Sequence, residues 1–156
     1  EAQNCVKEHN DMNLEEIYID NMAQQLVVNP EQFNNSVILS TNLFMDIISE
    51  LASGIVGSIG LIYSANMGDS YAMFEAAHGS APSFKGQNKV NPTATILAGA
   101  WMAEYLGEPH IREAIFSATE HVINEGKTIT FDIGGNASTS QMADAITILA
   151  KEKLRK

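Results

Sequence analysis

The 156 residues hold one cysteine, four prolines and nine lysines and arginines. Cys5 alone cannot form an intrachain disulfide, and His9, His78, His110 and His121 lack the spacing of a structural zinc site. Both absences suit a reducing, cytoplasmic setting, or a mitochondrial matrix in a eukaryote. Positive charge is scarce: against nineteen acids it leaves a net charge of −10. Four of the nine cations, Lys151, Lys153, Arg155 and Lys156, fall in the last six residues, where they read as the final turn of a helix, favoured by its dipole. The rest of the chain repels phosphate backbones and anionic lipid, which argues against nucleic acid and membrane surfaces as partners. The longest stretch without a charge, residues 51–68, carries four glycines and three serines and is no membrane span. The acidic start does not resemble a signal peptide.

What is present is 45% apolar composition, enough for a core. Short extended runs alternate with helical periods, which predicts an α/β fold. Glu16 to Asp20, Ser36 to Ser40, Tyr71 to Ala76 and Lys127 to Phe131 are expected as strands. Met22, Leu26 and Val27 mark one helix ended by Pro30, and Leu43, Ile47 and Leu51 form the inner row of another that starts at Thr41/Asn42 and runs to about Ser53. Asn91 and Pro92 open a third helix with Asn91 as N-cap, and Gly107 closes it. A fourth, stopped by Gly126, presents Ile111, Ala114, Ile115, Ala118 and Val122. Ser138 and Gln141 form a capping-box pattern ahead of a last helix bearing Met142, Ile146 and Leu149. Met67, Met73, Met102 and Met142 are expected in the core.

Asp46 and Glu50 stand one helical turn apart in an apolar stretch, so both carboxylates share a face. They suit a hard divalent cation, or they are two solvated acids on an outer face. Asp20 reads equally as an N-cap. His78-Gly79-Ser80-Ala81-Pro82 follows a strand and reads either as a ligand loop or as a tight turn. Gly54, Gly57 and Gly60 do not match the Rossmann fingerprint.

Five ordered segments, Asn42 to Glu50, Ser64 to Asp69, Phe74 to Pro82, Gly86 to Ala94 and Asp132 to Ser140, resemble the metal-dependent β-decarboxylating dehydrogenases, which include isocitrate and 3-isopropylmalate dehydrogenases. The resemblance implies the C-terminal portion of a two-domain isopropylmalate-dehydrogenase-like fold with a non-Rossmann nucleotide site. Residues 1–57 would end the small, dimer-forming domain, and residues 58–156 would be the returning part of the large cofactor-binding domain. It further implies Mg²⁺ or Mn²⁺ held by Asp46 and Glu50 with Asp20 from a second copy, in a homodimer acting on a 2-hydroxy acid. His78, Gly79, Ser80, Ala81, Pro82, Ser83, Phe84 and Asn91 would hold the adenosine half of the cofactor. Ser83, Phe84, Phe131 and Gly135 stand where NADP-using relatives place cations or tyrosine, which favours NAD. Gly86 to Pro92 resembles the isocitrate enzymes more than the isopropylmalate enzymes. Met45 replaces a family glycine and Glu50 a family aspartate, which implies altered metal geometry, reduced turnover or a non-catalytic regulatory role. The family's substrate arginines, catalytic lysine and catalytic tyrosine have no counterpart here, and Arg112 is expected on a solvated helix face.

Overall fold

A computed structural model describes residues 1–9 and 11–155. Lys156, one of the four terminal cations, lies outside the described residues. The chain divides into two compact units, Glu1–Ala52 and Ser53–Lys156.

In the first unit, helix α1 (Ala2–Glu8), helix α2 (Ile19–Val28), a short 3₁₀ turn (Pro30–Phe33) and residues 42–52 of helix α3 (Asn42–Val56) follow one another. Met22 and Leu26 of α2 and Ile48 of α3 are buried together, with Ile17, Phe33 and Leu51 packed around them. Pro30 ends α2 as expected. Glu16 to Asp20 is not a strand: it feeds into α2, whose N-cap is Tyr18. Ser36 to Ser40 is not one either, and Val37 is 95% exposed. An extended run becomes a strand only when a neighbour takes up its amides and carbonyls, and no described segment of this unit offers one. The expected inner row of α3 is also displaced. Leu43 and Ile47 are 66% and 52% exposed, whereas Ile48 is 3% exposed. The helix is apolar on several faces, so its pattern allowed more than one choice. Val27 likewise faces outward.

The second unit carries a 3₁₀ turn (Ile59–Leu61), strand β1 (Tyr63–Met67), strand β2 (Ala72–Ala76), a 3₁₀ turn (Pro82–Phe84), helices α4 (Thr93–Tyr105) and α5 (Pro109–Glu125), a further 3₁₀ turn (Phe131–Ile133) and helix α6 (Thr139–Leu154). β1 and β2 form an antiparallel hairpin in the register Tyr63 to Ala76 and Ala65 to Phe74. β1 was hidden by neighbouring glycines, although Tyr63, Ala65 and Met67 alternate with Ser64 and Asn66 as a strand requires. The hairpin leans on α4 through aromatic edges: Tyr63 and Phe74 both meet Trp101, with ring centroids 5.9 and 5.7 Å apart.

Ala118, Val122, Met142, Ile146 and Ala150 form the core between α5 and α6. Helix punctuation follows the sequence closely. Gly107 at φ +91° ends α4, Gly126 at φ +70° ends α5, and Ser138 with Gln141 completes a reciprocal capping box on α6. Three expectations need correction. Lys127 to Phe131 forms no strand and leads into a 3₁₀ turn, because no described strand lies beside it. Met67, Met73 and Met102 are exposed, leaving Met142 as the buried one of the four. Arg112 is not simply solvated: it pairs with Glu104 at 3.1 Å and lies 4.3 Å over the Phe116 ring, so its stem and guanidinium pack. No described helix is long and apolar enough to cross a membrane.

Candidate functional site

The first unit holds the three carboxylates singled out as metal ligands. Asp20 sits in the first turn of α2 and accepts from the Asn21 amide at 2.8 Å. It is not the N-cap itself. Asp46 and Glu50 lie one turn apart on α3, and all three residues are exposed. Among the described residues no three His, Cys, Asp or Glu side chains converge as a metal site. Within one chain, therefore, Asp20, Asp46 and Glu50 do not assemble into one. As exposed carboxylates they supply the hard oxygen donors that Mg²⁺ or Mn²⁺ prefers. Met45, half-buried, donates its amide to the Thr41 carbonyl at 2.9 Å as part of the regular start of α3.

In the second unit the segment after β2 turns sharply. His78 Nδ1 donates to the Gly79 carbonyl at 2.9 Å. Ala81 adopts φ +43°, a left-handed conformation uncommon for alanine, and opens the Pro82–Phe84 turn. Such an outlier points to a constrained local geometry. Ser80, Ala81, Phe84, Lys85, Lys89 and Thr139 border a shallow depression of about 300 Å³ with no Asp or Glu among its described lining residues. In a chain of net charge −10, two lysines at such a rim suit a small anionic ligand. Phe84 and Phe131 are 5.6 Å apart, and Lys89 Nζ rests 4.6 Å from the Phe131 centroid.

Behind this loop is a polar hub. Asn91 is buried at the entry to α4; its Oδ1 accepts from the Thr93 amide at 3.0 Å and its Nδ2 donates to Asp132 Oδ2 at 3.0 Å. Pro92 takes the N-cap position and Asn91 caps from one residue earlier, a one-residue shift from the expected assignment. Ser58 Oγ donates to the same Asp132 oxygen and accepts from the Gly60 amide at 3.0 Å. Burial is the strongest influence on the Asp132 carboxyl and pushes its pKa up. The Ser58, Thr130 and Asn91 side chains and its own backbone together outweigh burial and hold the group below its ordinary value. Gly60 is required where it stands, since a Cβ there would lie 2.8 Å from Asn91 Cβ and 3.1 Å from Asp132 Oδ2.

Ser58 escaped the sequence reading because its partner is 74 residues away. The run Asp132-Ile-Gly-Gly was a visible signal, but its supporting role was not. A larger open cleft of about 420 Å³ at His110, Glu113 and Lys153 involves none of the five motifs, and its histidine is paired with Glu108 at 3.4 Å.

Comparison with known proteins converges on one family. The family model described as isocitrate/isopropylmalate dehydrogenase matches residues 1–146. The chain is 45% identical over 135 residues to the isocitrate/homoisocitrate dehydrogenase of Thermus thermophilus, covering 86% of this chain and 40% of that protein. It is 43% identical over 143 residues to a mitochondrial regulatory subunit of the NAD isocitrate dehydrogenase of Dictyostelium discoideum, covering 91% and 40%. The crystal structure of isocitrate dehydrogenase from Methylococcus capsulatus superposes with a TM-score of 0.91 at 39% identity, over 96% of this chain and 44% of that one. The chain thus spans about two-fifths of the length of these relatives.

Proposed function

The chain belongs to the isocitrate/isopropylmalate dehydrogenase family, and from that premise we propose that it is the C-terminal part of an enzyme that oxidatively decarboxylates isocitrate to 2-oxoglutarate with NAD and Mg²⁺ or Mn²⁺. The observation that carries the reading is the acid-free, lysine-rimmed depression beside the His78 loop. His78 through Phe84 hold the adenosine half of the cofactor, next to an Asn91 braced by Asp132. NAD is favoured over NADP because Ser83, Phe84, Phe131 and Gly135 stand where NADP-using relatives place cations or tyrosine, with Lys85 as the one cation adjacent to them in sequence.

Asp46 and Glu50 hold the divalent cation together with the partner's Asp20, so the working unit is a homodimer with shared sites. Once bound, nicotinamide supplies the hydride acceptor and the cation supplies positive charge beside the substrate oxygens. The residues of this chain bind and orient. The resemblance puts the lysine and tyrosine that move protons in the part of the relatives that this chain does not span. A cytoplasmic or mitochondrial matrix location accords with this chemistry.

The test is CO₂ release by the full-length protein with isocitrate, 3-isopropylmalate and homoisocitrate, each with NAD or NADP and with Mg²⁺ or chelator. NAD- and Mg²⁺-dependent release from isocitrate supports the reading, and inertness towards all three acids rejects it. A second reading, a non-catalytic regulatory subunit, is favoured by Met45 and Glu50 and by the likeness to the Dictyostelium protein. Under it, Met45→Gly with Glu50→Asp creates metal-dependent turnover in an otherwise inert protein.

A further inference from the structure

The stretch from Ala81 to Gln87 is stiff by its own bonding. Ala81 O accepts from the Phe84 amide at 3.0 Å, Phe84 O from the Gln87 amide at 3.1 Å, and Ser83 O from Gln87 Nε2 at 2.6 Å. Beyond Gly86, at φ +77°, the chain fastens to the start of α6 through Asn88. Asn88 O accepts from the Thr139 amide at 3.0 Å. Its Oδ1 accepts from the Ser140 amide at 3.1 Å and from Ser140 Oγ at 2.9 Å. Asn88 itself is left-handed, at φ +51°, a conformation that asparagine accepts more readily than most residues with a Cβ. Thr139 Oγ1 adds a bond to the Val90 carbonyl.

We infer that Asn88 is a positioning residue for the dinucleotide loop: its left-handed backbone and its side-chain oxygen fasten the preformed Ala81 to Gln87 unit to α6, so that the loop meets its ligand already in place. The inference rests on the function proposed above. A loop released from this anchor has to be ordered on binding, which weakens affinity. Asn88 also borders the depression, and the chemical step is untouched because the residue is assigned to the dinucleotide loop and not to the substrate or the reacting atoms.

Titration of the full-length protein with NAD and with NADP, alongside steady-state kinetics, tests this. Asn88→Ala removes both the side-chain acceptor and the left-handed tolerance, Asn88→Gly removes the acceptor alone, and Ser140→Ala, outside the depression, removes one donor to that acceptor. Dissociation of the dinucleotide is expected to weaken about tenfold in Asn88→Ala and about threefold in Asn88→Gly, as the loss of hydrogen bonds of ordinary strength would give. Ser140→Ala weakens binding about twofold, and kcat at saturating cofactor stays within about twofold throughout. Should Asn88→Ala fail to fold, Asn88→Gly and Ser140→Ala carry the same comparison. Unchanged affinity in the Asn88 variants, or in Ser140→Ala, overturns the positioning role alone. If the unaltered protein binds neither dinucleotide, the proposed function falls and this role with it.

Discussion

Asn91 and Asp132, 41 residues apart in the chain, are joined by a 3.0 Å bond from Nδ2 to Oδ2, and the same Asn91 side chain accepts the Thr93 amide at the start of α4. One carboxylate thereby ties the 3₁₀ turn before α6 to the entry of α4, with Ser58 joining from a third segment.

Stability should follow the Asp132 charge. Its folded pKa is lowered from the ordinary 3.8, so the contribution is present in full above 3.8 and is lost as pH falls through the lower folded value. Asp132→Asn should cost about 1 kcal/mol at neutral pH, the difference between charged and neutral hydrogen bonds. Urea denaturation of both proteins between pH 7 and pH 3 should show the gap closing below pH 3.8. A constant gap would remove the carboxylate's charge from the explanation.

The glycine pair after Asp132 offers a steric comparison. A Cβ on Gly135 would lie 2.0 Å from the Ile129 carbonyl oxygen, whereas Gly134 has open space but φ +91°. Gly135→Ala should destabilise by about 1–3 kcal/mol or prevent folding, through overpacking against backbone. Gly134→Ala should cost about 1–2 kcal/mol, the left-handed penalty alone. Chemical denaturation that ranks Gly134 above Gly135 would reverse this account.

Ser138 accepts from the Gln141 amide at 3.2 Å, and Gln141 Oε1 accepts from the Ser138 amide at 2.8 Å. Ser138→Ala should lower stability by about 1 kcal/mol and Ser138→Asp should retain most of it. Thermal melts of the two variants decide the point, since an effect of general polarity would not separate them.

Ile146 and Ile148 lie two residues apart on α6, one 2% and the other 59% exposed. Ile146→Ala should cost about 2–5 kcal/mol by leaving a cavity beside Met142, and Ile148→Ala about 0.5 kcal/mol or less. Comparable losses in guanidinium unfolding would mean that the outer face of α6 is covered in solution.

Local signals carried well from sequence to structure. The Ser138 capping box, Gly107 and Gly126 at helix ends, and the stop at Pro30 each depend on residues within one turn, so the chain itself specifies them. The runs at Glu16, Ser36 and Lys127 carry strand-like residues, but no described strand lies beside them to pair with; the first passes into α2 at Ile19 and the last into a 3₁₀ turn at Phe131. β1 was obscured by the glycines that flank it. At the site, the His78 loop stood out by composition. Ser58 and Asn88 did not, since each acts on a partner more than fifty residues away.

The fastening of Asn88 also has an electrical consequence. A helix start leaves four amides over, and on α6 all four are occupied: Ser138 by Gln141, Thr139 and Ser140 by Asn88, and Gln141 by Ser138. The positive pole of that helix is closed to visitors. An anion arriving at the neighbouring depression has to be neutralised by side chains, and Lys85 and Lys89, scarce cations in an acidic protein, are the ones at hand.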